Sequence, residues 1–240
     1  MSKLISFIIP AHNEEAQIAP TLEAIRTTAA ELGLRHEVIV ADDASTDATA
    51  RLAAAGGARV VSIDRRQIAA ARNAGAAQAG GEVLIFVDAD TRVTPGAVRA
   101  ALAALDAGAV GGGARIRFDG FIPFWARIVA PTFMAVLHGL NYTGGCFIYC
   151  TRKSFDAAGG WDEGFFAGEE IELAKAFKRL GKFRIVREHV ITSGRKLRAY
   201  KFGEMMWLLI RMSLSPNQAV RSRDKLDLWY APRRADPGAK

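Results

Sequence analysis

The first 107 residues alternate short apolar runs with stretches of helical periodicity. The apolar runs cover residues 4–9, 37–41, 59–63 and 82–90, and each has the length of a strand. Between them, apolar residues recur every three or four positions, as at Val98, Leu102 and Leu105. Strands that alternate with helices at this spacing form βαβ units with right-handed crossovers. We therefore expect an α/β fold with a mainly parallel central sheet flanked by helices.

The fourth apolar run ends in two carboxylates. Residues 83–87 read as a strand buried on both faces, and Asp88 and Asp90 follow with one residue between them. Ligands of open α/β sheets bind beyond the carboxyl ends of the strands. If the strand continued through both acids, their side chains would point the same way and repel, unless a cation or a donor lay between them. A divalent ion that also binds phosphate suits this place, although Asp is common in ordinary turns as well.

The pattern changes in the second half of the chain. Residues 110–118 form a predicted strand whose glycines allow another backbone or a ligand to approach closely. Residues 121–150 are apolar and aromatic, and Pro123, Pro131 and Gly139 predict that no long helix forms there. Two interpretations stay open for this segment. It is core or a dimer face, or it is an apolar wall beside the site for a lipid-linked or aromatic acceptor.

A further helix is predicted after Gly168, with Glu169 and Glu170 in its first turn. The helix dipole stabilises a carboxylate there by about 0.3–1 kcal/mol, so acidic residues are common at this place without any function. A last short strand is predicted over 183–186, and His189 follows it. A lone histidine at such a position is more often structural than a ligand.

Positive charge is concentrated at the C-terminus. Residues 182–240 carry 14 Lys and Arg against 5 Asp and Glu, whereas the whole chain has a net charge of +7. A basic loop at 193–198 leads into an amphipathic helix predicted over 199–214. This asymmetry suggests a polyanionic partner, which is phosphate, an anionic membrane surface or nucleic acid. The helix is too short to span a bilayer but long enough to lie on one, and packing back on the domain is the alternative.

Length and composition suit one domain with an appendage, because 240 residues that are 50% hydrophobic can bury a sizeable core. Cys146 and Cys150 both lie in an apolar segment, so we expect buried free thiols and a reducing compartment. The first apolar run is too short for a signal peptide, and no apolar stretch reaches the length of a spanning helix. We expect a cytoplasmic protein, peripheral at the inner face of the membrane if its basic helix binds lipid.

A series of motifs in a fixed order resembles the family 2 glycosyltransferases, which have the Rossmann-like GT-A fold, from residue 4 to about residue 195. The motifs lie at residues 7–15, 41–47, 71–75 (Ala-Arg-Asn-Ala-Gly), 88–90 (Asp-Ala-Asp), 144–145 (Gly-Gly) and 168–170 (Gly-Glu-Glu). The sequence departs from the family pattern at His12, where Tyr is frequent, and at Glu170, where Asp is usual. The second departure places a longer carboxylate at the position of the catalytic base.

The resemblance implies a role for each matching residue. It implies a nucleotide site formed by Pro10, Ala11, Glu14, Asp43, Arg72 and Asp88, in which Asp43 pairs with the base. It implies a Mn²⁺ or Mg²⁺ ion on Asp90 and Asp88, with His189 as a candidate further ligand. It implies an acceptor side at Gly144, Gly145 and Trp161, and a catalytic pair of Glu170 as base beside Glu169. Arg195 and Lys196 would add positive charge when their loop closes on the diphosphate.

The function implied is an inverting, metal-dependent transfer of a sugar from a nucleoside-diphosphate sugar to an acceptor hydroxyl. A UDP-sugar is favoured, GDP stays open, and the acceptor is a candidate lipid-linked molecule. Residues 1–195 would form the GT-A domain, with a nucleotide-sugar half (1–107) and an acceptor half (108–195), and residues 196–240 the appendage. A homodimer is one further expectation, and nucleic acid is not an expected partner.

Other classes of nucleotide-binding protein fit the sequence motifs less well. The segment 10–13 is not the Gly-rich loop of sugar-1-phosphate nucleotidyltransferases, and the sequence has no phosphate-binding Gly-x-x-x-x-Gly-Lys-Ser/Thr motif. The alternative from outside the enzymes is a catalytically weakened nucleotide-sugar scaffold or regulatory protein, because Glu170 replaces the usual Asp.

Overall fold

The computed structural model describes residues 3–207 together with residues 221, 226, 234 and 236. The strands are β1 (Ile5–Ala11), β2 (His36–Asp43), β3 (Arg59–Ile63), β4 (Val83–Val87), β5 (Thr91–Arg92), β6 (Ala109–Phe118), β7 (Phe147–Thr151) and β8 (Lys182–Thr192). The helices are α1 (Ile18–Glu31), α2 (Thr49–Ala55), α3 (Ile68–Gln78), α4 (Pro95–Asp106), α5 (Phe124–Gly139), α6 (Arg152–Ala158), α7 (Glu169–Leu180) and α8 (Arg195–Ala199).

One eight-stranded sheet forms the centre of the described part, in the order β3-β2-β1-β4-β7-β6-β8-β5. The first four strands in this order pair in parallel, as the βαβ pattern predicted. Ile8, Ile39 and Phe86 on these strands have no exposed surface, because helices cover both faces of the sheet. The carboxyl ends of β1, β2 and β4 therefore meet at one edge, where the candidate site lies.

The other half of the sheet is mixed. β7 pairs antiparallel with β4 and β6, β6 pairs parallel with β8, and β8 pairs antiparallel with β5. The apolar pattern did not predict β7, because its residues lie within a longer uncharged segment with no alternation. Cys146 and Cys150, beside and within β7, are buried free thiols as predicted.

Local side-chain contacts fix the starts of helices α2 and α4. The side chain of Thr94 accepts the N–H of Ala97, and Pro95 occupies the first helical position, where its missing N–H has no cost. An Asp47 carboxylate oxygen accepts the N–H of Thr49, the first residue of α2, at 2.9 Å.

Three predictions about secondary structure are wrong. The boundary predicted between a basic loop at 193–198 and a helix from residue 199 does not hold, because residues 195–199 form α8 and the next helix begins at residue 202. Pro123, Pro131 and Gly139 do not prevent a long helix, because Pro123 precedes α5, Gly139 ends it and Pro131 lies inside it. A proline removes one backbone donor from a helix interior, and α5 continues past that loss. The last strand is longer than residues 183–186, since β8 pairs with both β6 and β5 and carries His189 within it.

The basic C-terminal segment is described only in part. Residues 202–207 are helical, and residues 208–214 of the predicted amphipathic helix lie outside the described residues. No helix in the described part of the chain has the length and apolar character needed to cross a membrane.

Candidate active site

The loops that follow β1 and β2 hold each other in place. The N–H of Asn13 donates to the Ser45 hydroxyl at 2.9 Å, and the Asn13 side-chain oxygen accepts the N–H of Thr46 at 2.8 Å. The N–H of Glu14 donates to the Thr49 hydroxyl at 2.7 Å. These bonds fix the segment after Pro10 and Ala11, which end β1, and turn the buried Glu14 side chain to the edge of the sheet.

Asp43 organises the segment that enters α3. One of its carboxylate oxygens accepts the N–H groups of Arg65 and Arg66, both at 2.8 Å, and the other accepts that of Gln67 at 2.7 Å. An ionised carboxylate offers about four acceptor positions, so one remains on the second oxygen. The ring Nδ1 of His12 lies 2.8 Å from the backbone oxygen of Asp43, which ties this carboxylate to the β1 loop.

Arg72 on α3 is the buried centre of the site, with 1% of its side chain exposed. One terminal nitrogen donates to Glu169 at 2.7 Å, and the other donates to Asp88 at 2.8 Å and to the carbonyl oxygen of Gly145 at 2.9 Å. Three segments that are distant in sequence thus converge on one guanidinium. A buried charge of this kind requires such partners, because an unpaired ion in the interior is costly.

Charge and burial act against each other around Arg72. Burial alone would lower the pKa of Arg72, but Asp88 and Glu169 raise it overall. Burial also raises the pKa of Asp88 above its usual range, an effect that Arg72 opposes and the charge of Asp90 reinforces. Asp88 is consequently harder to ionise than an ordinary aspartate.

The indole ring of Trp161 packs against the guanidinium of Arg72. The indole is 2% exposed, and the guanidinium carbon of Arg72 lies 4.2 Å from the centre of its ring. Phe86 packs edge-on against the same ring. The structure therefore shows Trp161 as a buried platform, and its predicted contact with an acceptor stays a prediction.

Arg195 forms a second charged cluster on the other side of the Asp88–Asp90 turn. Its two terminal nitrogens donate to the two carboxylate oxygens of Glu14 at 2.8 and 2.7 Å, and one of them also donates to Asp90 at 2.9 Å. The backbone reinforces this contact, since the N–H of Ser193 donates to the carbonyl oxygen of Asp90. The basic loop that was predicted to close on a diphosphate is thus already seated on the acidic turn, and the charge of the neighbouring Lys196 acts on Asp88.

Strand β4 ends at Val87, so Asp88 and Asp90 do not continue it. The N–H of Thr91 bonds to the carbonyl oxygen of Asp88 and closes a turn. The two carboxylates pair with different arginines, Asp88 with Arg72 and Asp90 with Arg195. Each keeps an oxygen that none of these bonds uses.

Glu170 lies at the start of α7, next to Glu169 and beside the backbone of Gly145. A Cβ atom added to Gly145 would lie 3.5 Å from Cβ of Glu170 and 3.2 Å from a terminal nitrogen of Arg72, so only a glycine leaves this gap open. Burial, followed by the charge of Glu169, raises the pKa of Glu170 to about 8. At neighbouring Gly144, a Cβ would lie 2.8 Å from the side chain of Ile116.

His189 does not join this group. Its ring Nε2 lies 3.2 Å from a terminal nitrogen of Arg117 on the adjacent strand β6, and its carbonyl oxygen accepts from the Thr94 hydroxyl. Thr192 pairs with Thr91 next to Asp90, and His189 lies three residues before Thr192 in β8, roughly 10 Å away at the rise of a strand. Metal ligation by His189 stays a prediction, and in this structure its ring lies beside the guanidinium of Arg117.

The carboxylates present suit a cation only if another molecule supplies further ligands. In the described residues, no group of three or more His, Cys, Asp and Glu is placed to hold a metal ion. Mg²⁺ is commonly bound by one or two carboxylates together with substrate phosphates, and Asp88 and Asp90 match that requirement. The residues therefore fit an ion shared with a diphosphate.

Several contacts that shape the site were not predicted from the sequence. The side-chain amide of Gln67 donates to the backbone oxygens of Glu163 and Phe165, and Asn73 binds the backbone of Trp161. The Ala-Arg-Asn element contained a signal for the second contact, because an amide within a small-residue helix face has to find a partner. Gln67 carried no such signal.

Comparison with known proteins identifies similar chains. The family model for glycosyl transferase family 2 matches residues 6–157. Undecaprenyl-phosphate 4-deoxy-4-formamido-L-arabinose transferase of Pseudomonas aeruginosa (strain LESB58) is 36% identical over 99 residues, which are 38% of this chain and 29% of that protein. The chain spans less than a third of the length of the curated relatives that it matches here.

Two solved structures share the fold. Glucosyl-3-phosphoglycerate synthase from Mycobacterium tuberculosis, in complex with Mn²⁺, UDP and glucosyl-3-phosphoglycerate, has a TM-score of 0.64 at 23% identity, covering 96% of this chain and 81% of that one. A mannosyltransferase from Pyrobaculum calidifontis, in complex with GDP-Man and Mn²⁺, has a TM-score of 0.67 at 17% identity, covering 96% of this chain and 69% of that one.

Proposed function

The chain belongs to glycosyl transferase family 2 and has the predicted GT-A fold, and from this premise we propose that it transfers a sugar from a nucleoside-diphosphate sugar to an acceptor hydroxyl with inversion. One observation carries the proposal. Arg72 and Arg195 draw four carboxylates from three separate segments, Glu14, Asp88 with Asp90, and Glu169, to the edge of the sheet where ligands of such folds bind.

The nucleotide base would lie against the loops after β1 and β2. Asp43 has one acceptor position left after its three backbone bonds, and that position suits the ring N–H of a uracil or a guanine. Pro10, Ala11 and Glu14 would border the same pocket. Both UDP and GDP occur in the similar structures, so the geometry is compatible with either base, and the resemblance favours UDP.

A divalent cation, Mn²⁺ or Mg²⁺, would be held by Asp90 and Asp88 together with the donor diphosphate. When bound, it supplies Lewis-acid stabilisation of the charge that develops on the leaving group. Arg195 and Lys196 are the nearest cations in the C-terminal loop and would add to that stabilisation by contacting the phosphate oxygens. Arg195 must then exchange Asp90 and Glu14 for the diphosphate.

Glu170 is the proposed general base. A base works best when its pKa lies near the operating pH, and burial together with Glu169 brings the pKa of Glu170 to about 8. Glu169 is held by Arg72 and positions that neighbour. An acceptor hydroxyl would approach Glu170 beside the backbone of Gly145, where the glycine places no side chain. With one base on the side opposite the leaving group, the reaction is a single displacement, which inverts the anomeric carbon.

The acceptor side would comprise Gly144, Gly145 and the region around Trp161. A lipid phosphate acts as acceptor in the undecaprenyl-phosphate transferase that matches this chain, by that protein's name, and a lipid-linked acceptor is our proposal here. We further propose the division into a donor half (1–107), an acceptor half (108–195) and a basic appendage (196–240). Peripheral attachment at the inner face of a membrane, and a homodimer, belong to the same proposal.

The test is a transfer assay with purified full-length protein, Mn²⁺ and a panel of UDP- and GDP-sugars, with polyprenyl phosphates or phosphoglycerate as acceptors. We expect nucleotide release that depends on both donor and acceptor and falls sharply in Glu170→Gln. The alternative function is a nucleotide-sugar-binding scaffold, which the unusual Glu170 favours. Donor binding without turnover over the whole panel would support that alternative.

A further inference from the structure

Helix α5 presents an apolar face to the outside over its full length. Ala126 is its one buried residue in the described structure. Six large apolar side chains on the helix and its flanks are between 44% and 76% exposed, namely Phe121, Phe124, Ile128, Phe133, Val136 and Leu140. At 100° per residue, the five from Phe124 onward fall within one half of the helix circumference. A water-facing helix normally carries polar residues on that half.

Besides the indole of Trp125, which packs against Phe202, the polar content of this face is one hydroxyl. Thr132 donates its hydroxyl to the carbonyl oxygen of Ile128 at 2.8 Å, so the group is satisfied inside the helix without water. Threonines in helices commonly bond to the i−4 carbonyl in this way, and the bond lowers the need of the hydroxyl for water. The face is therefore suited to an apolar environment, and the helix is 16 residues long, about 24 Å, which is enough to lie in a membrane plane but not to cross it.

Basic residues border the same face. Arg115 is exposed next to the end of the helix, where its charge adds to burial in lowering the pKa of His138, whereas Arg127 lies on the opposite side of α5. The ammonium group of Lys178 donates to the carbonyl oxygen of Leu140 just past the last residue of α5. A two-fold pairing of this face with a second copy would bring such cations near their own equivalents. Anionic headgroups complement them instead.

We propose that α5 lies in the interface of an anionic lipid bilayer, with Phe124, Ile128 and Val136 among the acyl chains and the basic residues on the lipid phosphates. The purpose of this membrane contact rests on the proposed function. Only five residues lead from Leu140, at the end of α5, to Gly145, whose carbonyl oxygen binds Arg72. A hydroxyl or phosphate carried by a lipid would reach the candidate site at the membrane surface.

The test measures lipid binding separately from sugar transfer. Full-length protein is sedimented with vesicles of phosphatidylcholine alone, or of phosphatidylcholine with about 30% phosphatidylglycerol, at low and at high salt. The variant is Phe124→Ser with Val136→Ser, and the matched control is Val61→Ser on β3, at the opposite edge of the sheet. Circular dichroism and the thermal shift with UDP and Mn²⁺ report whether the fold and the donor site are intact.

We expect the wild type and the control to bind anionic vesicles, with weaker binding at high salt. The partition coefficient of the double variant should be lower than that of the wild type by about tenfold or more. Three results would overturn the inference: wild type that stays in solution, a double variant that binds like wild type, or a dimer in light scattering that the double variant dissociates. Wild-type protein that binds the vesicles but transfers no sugar would count against the proposed function alone.

Discussion

A terminal nitrogen of Arg195 lies 2.9 Å from a carboxylate oxygen of Asp90, while the same guanidinium binds both oxygens of Glu14. The contact joins the end of the first strand, the acidic turn after the fourth strand and the C-terminal loop. It also places a positive charge beside the carboxylate that the proposal assigns to a divalent cation. Cation and guanidinium therefore compete for Asp90.

This competition predicts that Arg195→Ala binds Mn²⁺ more tightly than wild type when no nucleotide is present. A hydrogen bond to a charged group contributes about 1.5–3 kcal/mol, so the gain in affinity should be roughly 10- to 100-fold. UDP binding should weaken at the same time, because the diphosphate loses a cation. Titration of Mn²⁺ by electron paramagnetic resonance measures the first effect, with Arg92→Ala, which breaks an ion pair with Asp119, as control. Equal Mn²⁺ affinity in wild type and Arg195→Ala would argue against competition.

Replacement of Arg72 should destabilise the protein strongly. Arg72→Met leaves Glu169 buried without its cation, and loss of one partner of a buried pair costs about 3–5 kcal/mol. The double variant Arg72→Met with Glu169→Gln should regain part of this loss, since the uncompensated charge is removed. Chemical denaturation measures the three free energies of unfolding. The exposed pair of Arg99 and Glu31 is the control, and Arg99→Met should change stability by less than about 1 kcal/mol. A small effect of Arg72→Met would show that the guanidinium is not central to the site.

Glu170→Gln should lower kcat/KM by about 10²- to 10⁴-fold, the usual contribution of a positioned base. In the wild type kcat/KM should rise with pH and level off above about 8, because the base acts only when deprotonated. The variant should lose this pH dependence while binding the donor normally. A wild-type rate that is flat between pH 6 and 9 would remove Glu170 from the role of base.

The raised pKa of Glu170 also predicts that stability falls with pH over the range in which activity rises. In the unfolded chain Glu170 ionises above its ordinary pKa of 4.5, whereas in the folded protein it holds its proton up to about pH 8. The folded state binds more protons in this window, so the free energy of unfolding falls as pH rises through it. Glu170→Gln should therefore gain stability relative to wild type between pH 5 and 8. Thermal denaturation at several pH values measures the difference, and a constant difference would show that the pKa is not raised.

Asp43→Asn should loosen the entry to α3 and weaken nucleotide binding. An amide nitrogen cannot accept the N–H bonds that one of the two carboxylate oxygens now receives from residues 65–67. An unsatisfied donor of this kind costs about 1–3 kcal/mol. Hydrogen exchange at residues 65–67 should accelerate, and UDP affinity should fall with it. Unchanged exchange together with unchanged affinity would exclude Asp43 from both roles.

The regular half of the fold follows from local pattern. The buried strands β1, β2 and β4 and the capped helix α4 have a periodicity that depends only on neighbouring residues. Strand β7 was not predicted, because it is a strand through its pairing with β4 and β6. Helix α5 was not predicted, because Pro131 was expected to end a helix that instead continues through it.

Residue types in the candidate site were recognisable, and their pairing was not. The sequence indicated Arg72, Asp88, Asp90 and Glu169 individually, yet which arginine binds which carboxylate depends on crossings between distant segments. His189 illustrates the limit, since its place in β8 follows from a strand pairing that extends beyond the apolar residues.

The central claim is that Asp90 and a divalent cation hold a nucleoside diphosphate at the carboxyl edge of the sheet. Calorimetric titration of the full-length protein with UDP and GDP, with Mn²⁺ or with EDTA, tests it directly, with Asp106→Asn, in an exposed ion pair with Lys3, as a control outside the site. We predict that one of the nucleotides binds in Mn²⁺, that EDTA weakens the binding at least tenfold, and that Asp90→Asn does the same while Asp106→Asn does not. Nucleotide binding that is equal in Mn²⁺ and EDTA and unaffected by Asp90→Asn would contradict the account.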